Sequence, residues 1–331
     1  PCACTGRYFI YSPGEYGRAE VSFYEKIGGG YNSNMKFLVP ENYKLYCSKK
    51  MKGRYKKKIM AGPILTDEEK LTEYSHFFYK PLEKVDPELQ EILKKSPVDP
   101  EKITSIQQRN KILDPGYLEV ENGYTRMPDG SGCVATNVRM PEVTPEMVDW
   151  WFAWHGLKDL RYKIWCPTDH YSAHVKEEDL KHRLDQSLSL KERNWGTTDV
   201  VTENVGGGPQ TMHLSFLSPE DFGYDPAKIS NADVIISANV SDAETGQPLI
   251  CFSHVIRKLE KGIEYRSHYW QGYNIGENGN AVAVAIPEGG FPMEVMKACA
   301  EHSQLEYSNL AVILPELYAK YGNIPDKAED L

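Results

Sequence analysis

The chain has 331 residues, enough to bury a full-sized core, and its 40% hydrophobic and 26% charged content is that of an ordinary soluble globular protein. A net charge of −9 argues against an extended phosphate-binding surface, so nucleic acid is not an expected partner. No apolar run approaches the roughly eighteen residues needed to cross a bilayer, so no membrane association is expected. The opening stretch PCACTGRYFIYSPGEYGR lacks the apolar core of a signal peptide, and the expected location is the cytoplasm. The cysteines (Cys2, Cys4, Cys47, Cys133, Cys166, Cys251, Cys299) are scattered, with no Cys-x-x-Cys pair, and read as reduced thiols.

In chain order, residues 1–60 mix Tyr, Gly and Lys without sustained periodicity, with short strands expected around RYFIY and MKFLV. The basic run KKMKGRYKKK at 49–58 reads as a solvated segment without assigned function. Thr66 is an N-cap candidate for the helical stretch DEEKLTEYSHFFYKPL, and a second helical piece, DPELQEILKK, precedes the break SPVDPEK. The apolar side of this module (Leu71, Phe77, Phe78, Leu89, Ile92) needs a partner surface on the main domain or on another subunit. The expected division is a partly helical region, 1–114, and a second domain, 115–331, opening after Asp114-Pro115-Gly116.

That second domain starts with a hairpin, YLEVENGYTRM and CVATNVRM around PDGSG. Thr144 and Pro145 open a helix, PEMVDWWFAWHGL, whose apolar residues cover most of its circumference, so it is expected to be buried. After LRYKIWCPTDHYSAH and a polar helical piece at 176–193 come the strands TTDVVTENV, TMHLSFL, ADVIISANV, LICFSHVIRK and IEYRSHYWQGY, then one long helix, PMEVMKACAEHSQLEYSNLAVIL. Consecutive antiparallel strands closing on a single long helix predict an α+β domain in which a curved sheet grips the helix around a cavity.

In the last helix Val295, Cys299, His302 and Glu306 fall on one stripe at 3.6 residues per turn. Turned inward, an imidazole and a carboxylate one turn apart need compensation, which a divalent metal supplies directly; turned outward they are an ordinary surface pair. His170 follows the turn signal Cys166-Pro167-Thr168-Asp169, where a loop can aim it into a cavity, whereas His174 reads as an exposed helix histidine. Glu203 ends an apolar strand before three glycines and is either an edge-strand carboxylate or a site residue. His254 shares a strand face with Ile250, Phe252 and Ile256, where a satisfied core histidine is the alternative to a functional one. Tyr265, Tyr269 and Tyr273 alternate onto one face, as a pocket for a flat phenolic ring requires and as core stacking also would; Trp270 and Trp151 are further candidates for substrate contact. No nucleophile elbow, phosphate-binding loop, His-Glu-x-x-His or dinucleotide fingerprint is present, which leaves a metal site or a simple binding cavity.

With DWWFAWHGLKDLRYKIWCPTDHYSAH, the strands carrying SHVIRK and EYRSHYWQGY, and AEHSQLE in view, the chain resembles the diacetylphloroglucinol hydrolase and phloretin hydrolase family over roughly residues 115–310. The resemblance implies a helix-grip, Bet v1-like catalytic domain, one zinc per chain, cleavage of the carbon–carbon bond between an acyl group and a phloroglucinol ring by a retro-Claisen route, and dimerisation through the helical N-terminal region. By position it implies metal ligands His170, His302, Glu306 and Glu203, with Glu192 as a rival for the last. It likewise implies catalytic roles for His254, Tyr162 and Tyr269. One strain appears: in a hairpin centred on Glu260, His254 and Tyr269 face opposite sides, so a bulge or shifted register is needed. Two other classes fit the residues, a carrier of flat aromatic ligands and a mononuclear Fe(II) oxygenase.

Overall fold

In the computed structural model three strands near the start of the chain are described by their backbone, and residues 62–328 with their side chains. The basic run at 49–58 and Cys2, Cys4 and Cys47 lie outside the described residues. The chain divides into two compact units, Pro1–Pro81 and Leu82–Leu331. In the first, strands β1 (Arg7–Pro13), β2 (Arg18–Ile27) and β3 (Gly30–Pro40) pair antiparallel in that order. Thr66 and Glu69 form a reciprocal capping box at the start of the turn Asp67–Lys70. The stretch expected to continue as one helix breaks instead into Glu73–Ser75 and His76–Tyr79, where the Ser75 hydroxyl donates to the Lys70 carbonyl at 3.1 Å and competes with helical hydrogen bonding. Phe77 and Phe78 are buried, while Leu71 stays 88% exposed.

The second unit is built on an eight-stranded antiparallel sheet: β4 (Gly123–Arg126), β5 (Gly132–Met140), β6 (His170–Val175), β7 (Thr198–Glu203), β8 (Gln210–Leu217), β9 (Val234–Asp242), β10 (Pro248–Lys258) and β11 (Ile263–Gln271). Their order is β4-β5-β11-β10-β9-β8-β7-β6. The 29-residue helix Met293–Tyr321 continues past Pro315 and packs on one face. Met296, Cys299 and Ala300 meet Tyr124 and Val134 at one edge of the sheet, Tyr307 meets His254 and Tyr269 in its middle, and His302 meets Glu203 near the other edge. Eight flat strands would span ~34 Å, far beyond the reach of one helix ~10–12 Å across. The sheet therefore wraps around the helix, and the architecture is a helix-grip one.

The outer face of the sheet is covered too. Ile103, Ile106, Ile112 and Leu113 pack with Cys133, Ala135, Phe222, Val255 and Trp270 in one core cluster. Residues 82–114, which the sequence reading placed with the N-terminal region, thus fold with the sheet because its outer apolar residues need them as cover.

Trp270 belongs to that outer layer, with its indole N–H donating to the Thr104 carbonyl at 2.9 Å. The expectation that it contacts substrate is corrected here: side chains alternate along β11, and Tyr269 takes the helix-facing side. Trp270→Phe is expected to cost about 2 kcal/mol of stability, from a buried carbonyl left with only the weak Cys133 thiol as donor and a partly emptied core site, while leaving the substrate KM within about twofold. Chemical denaturation alongside steady-state kinetics checks this, and a large KM change with unaltered stability would return Trp270 to the binding site.

Candidate metal centre and active site

The β10–β11 hairpin resolves the strain noted for His254 and Tyr269. Its pairs are Phe252 with Tyr269, His254 with Ser267 and Ile256 with Tyr265, so the turn spans Leu259–Gly262 and no bulge interrupts the ladder. A register shifted by one residue from a centre at Glu260 brings His254, Tyr265 and Tyr269 to the helix side together. Gly262 makes the turn possible: its φ is +70°, and a Cβ there would lie 2.1 Å from the Met140 carbonyl oxygen. Tyr273 does not share this face. The chain bends at Gly272, φ +88°, and the Tyr273 hydroxyl donates to Asp129 Oδ2 at 2.6 Å beside the outer core.

His170 stands at the start of strand β6 rather than in a loop, opposite Glu203 of β7. A register shift between His170 and Ser172 re-aims the strand end, and the His170 ring is completely buried. His174 is exposed, as expected, though on a strand and not a helix. Sequence periodicity failed here because six residues, beginning in a turn and carrying a bulge, leave no clean alternation. The preceding helix Asp159–Lys163 supports His170 from behind: the Tyr162 ring stacks on it at 3.9 Å and 3°, and Nδ1 lies 3.1 Å from the Tyr162 carbonyl.

Four polar groups from three segments converge next to it. His170 Nε2 is 3.5 Å from Glu203 Oε2 and 3.5 Å from Glu306 Oε2; His302 Nε2 is 3.7 Å and 3.8 Å from the same two oxygens. Neither Nε2 makes a hydrogen bond, although both are buried. Four ligands around a tetrahedral zinc at ~2.0–2.1 Å would be ~3.3–3.4 Å apart, close to these four His–carboxylate separations, and donor atoms of His170, Glu203 and His302 all lie within 4.8 Å of one another. The donor set and the orphaned nitrogens fit a divalent metal. Burial pushes the Glu203 carboxyl up, yet His302, His170 and the Tyr162 hydroxyl together hold it at about 2. Burial pushes His302 down, but Glu306, Asp169 and Glu203 outweigh it and raise the imidazole well above its usual range.

Glu192 is not in this group. It is only partly buried and caps a turn by accepting from the Ser189 amide at 2.9 Å. Val295, expected on the inward stripe, is 42% exposed, whereas Cys299, His302 and Glu306 are buried. The glycines after Glu203 close over the helix: Gly206, Gly207 and Gly208 have φ of +90°, +94° and +118°, and a Cβ on Gly206 would come within 2.7 Å of Ala298 Cβ. Asn204 holds the loop, its side-chain oxygen accepting from the Gly206 and Gly208 amides.

Beside the four lies an aromatic layer organised by Tyr307, which the sequence reading missed. The Tyr307 hydroxyl is 2.6 Å from the Tyr269 hydroxyl and 3.4 Å from His254 Nε2, and its ring stacks on Tyr265 at 4.3 Å. Its position directly after Glu306, on the helix stripe one turn beyond Ser303, was the available signal. Ser303 donates to the Tyr269 hydroxyl at 3.0 Å, and Ser267 meets His254 Nδ1 at 3.0 Å. Tyr162 is committed elsewhere, donating to Glu203 Oε2 at 2.7 Å. Trp151 is completely buried among Trp150, Trp154, His155 and Trp165, and Trp165 is the indole that reaches His170 and Tyr307. Trp165 also donates to the Glu306 carbonyl at 3.0 Å, tying the long helix to the segment that carries His170.

The profile of the DAPG hydrolase PhiG domain matches residues 103–319. The chain belongs to that family. Phloretin hydrolase of Eubacterium ramulus is 36% identical over 261 residues, covering 77% of this chain and 92% of that protein. The 2,4-diacetylphloroglucinol hydrolase of Pseudomonas protegens is 30% identical over 234 residues, covering 66% of this chain and 74% of its own. Among solved structures, Ara h 8.0201 aligns with 56% of this chain and 99% of its own at 14% identity, with a TM-score of 0.35, too loose a match to carry any argument. Among the described residues no helix is long and apolar enough to cross a membrane.

Burial of histidines gives this domain a definite acid response. His155, His254 and His268 are each held at about 3 by desolvation, against an ordinary 6.5. Between those values the unfolded chain binds more protons than the folded one, so stability rises with pH across that window and is lost as pH falls. Each histidine contributes ~1.4 kcal/mol per pH unit in the steep part. Unfolding free energy measured from about pH 7 down to about 4 should therefore steepen to a slope of nearly three protons; a slope below one would show that these rings are not buried neutral.

Proposed function

We propose that the protein is a metal-dependent hydrolase that cleaves the carbon–carbon bond between an acyl group and a phloroglucinol ring. The observation that carries this reading is the convergence of two bare, buried imidazole nitrogens on two carboxylates beside a layer of tyrosines. His170, Glu203, His302 and Glu306 would hold one zinc ion per chain. When bound, zinc supplies polarisation of an oxygen and a lowered pKa for water.

The chain's own residues then handle protons and the ring. Tyr307 is buried and Tyr269 partly so, and desolvation raises both phenols well above their usual range, so they keep their protons and can donate hydrogen bonds to substrate oxygens. His254, held neutral by burial, must accept a proton before it can give one. In the retro-Claisen sequence a proton is delivered to the ring carbon bearing the acyl group, and water adds its oxygen to the acyl carbon. The bond between the two carbons breaks, its electron pair going to the ring as a stabilised enolate. The products are a carboxylic acid and the free phloroglucinol.

Incubation of metal-replete protein with an arylpropionyl and an acetyl phloroglucinol, with and without oxygen, tests the reading. Stoichiometric release of ring and acid from at least one of them, independent of oxygen, is expected. No release from either, or release only with oxygen, would sink it, the latter in favour of an iron oxygenase.

A further inference from the structure

The two histidines of the centre are oriented by different groups. His170 has the Tyr162 backbone carbonyl at Nδ1, which leaves Nε2 as the lone-pair nitrogen facing Glu203 and Glu306. His302 makes no such bond: both of its ring nitrogens are buried without a hydrogen-bond partner. Its Nε2 faces the two carboxylates, and its Nδ1 faces Asp169 Oδ2 at 3.6 Å. A neutral imidazole that offers Nε2 must carry its proton on Nδ1, and a buried N–H without an acceptor is destabilising.

Asp169 is built into this corner. Its Oδ2 accepts from the Thr168 hydroxyl at 3.0 Å and lies 3.6 Å from Cys166 Sγ. Its carbonyl accepts from the Asn204 amide at 2.8 Å, which locks it to the residue after Glu203. We propose that Asp169 is the positioning residue for His302: its carboxylate takes the Nδ1 proton, selects the ring form that presents Nε2 to the cation, and strengthens that nitrogen as a donor. This rests on the metal reading above. It also makes the two histidines unequal, since a side-chain carboxylate can be removed by mutation and the backbone carbonyl behind His170 cannot.

A rival arrangement is available in the same corner, because Cys166, Asp169 and His302 could themselves surround a cation on the Nδ1 side. The test is chelator competition for Zn(II) in the wild type, Asp169→Ala, Asp169→Asn and His302→Ala, each first checked for an unchanged circular dichroism spectrum. The Co(II) spectrum of the wild type and the ¹⁵N-histidine spectrum of the zinc-loaded proteins complete it. Asp169→Ala is expected to weaken zinc binding by about ten- to a hundredfold and Asp169→Asn by less, the amide oxygen still accepting the N–H. The Nδ1 proton of His302 should be strongly downfield in the wild type and lost or shifted in Asp169→Ala, and Co(II) should show no thiolate charge-transfer band. If His302→Ala loses zinc while Asp169→Ala binds within twofold of wild type, the metal reading stands and this proposal fails. A thiolate band would overturn it by placing the cation on Cys166, and equal binding by His302→Ala and wild type would remove both readings.

Discussion

His302→Ala is expected to abolish tight zinc binding and activity together, and Glu306→Ala to do the same. Both side chains leave the same buried face of the long helix one turn apart, and their reactive atoms lie within 3.8 Å of each other. Removing either leaves three candidate ligands, one of them a carboxylate, Glu203, that two imidazoles now hold at about 2. Structural zinc sites release on the order of 10 kcal/mol on binding, so losing one of four ligands moves affinity by orders of magnitude. Glu203→Gln is nearly isosteric and should keep the fold but weaken zinc, since a neutral amide oxygen is a poorer donor. Glu192→Gln should do little, because Glu192 only caps an exposed turn. Metal content after dialysis, measured with turnover, decides this. Full zinc occupancy in the His302 variant refutes the ligand assignment, and loss in the Glu192 variant with retention in the Glu203 variant reverses it.

His254→Ala should leave zinc in place and lower kcat by about a hundredfold or more, the range for losing a positioned acid/base group. The imidazole makes no hydrogen bond, ion pair or ring contact with His170, Glu203, His302 or Glu306. It is held between Ser267 at Nδ1 and Tyr307 at Nε2, with Phe252 stacked against it at 4.6 Å. A core histidine with only a packing role would show its loss in stability and spare kcat. Single-turnover rates, zinc content and denaturation midpoints measured on one preparation separate the cases, and near-normal kcat with a lowered midpoint would make His254 a structural residue.

Much of this site was legible because helices and strands impose fixed periods. His302 and Glu306 had to share a helix face, and His254 with Phe252 a strand face, whatever the tertiary structure did. The predicted strands from β7 to β11 and the final helix likewise follow from apolar alternation. Other features depended on single-residue choices of register or on contacts distant in sequence, which no local pattern encodes. One residue of hairpin register decided that Tyr269 joins His254, and the same alternation sent Trp270 to the opposite face. The bend at Gly272 removed Tyr273 from the set.

The amino-acid sequence alone therefore determined which residues could supply the chemistry, the order of strands before the closing helix, and the family resemblance, since each is carried by residue type and spacing. Only the tertiary structure decided between Glu203 and Glu192 as the carboxylate beside the histidines, because the β6–β7 pairing sets Glu203 opposite His170 while Glu192 stays in an exposed turn. It alone revealed Asp169 and Tyr307. Asp169 finds His302 more than a hundred residues away and Tyr307 finds Tyr269 and His254 on strands 38 and 53 residues back along the chain, and a side chain acquires such a partner only when the strands wrap around the helix.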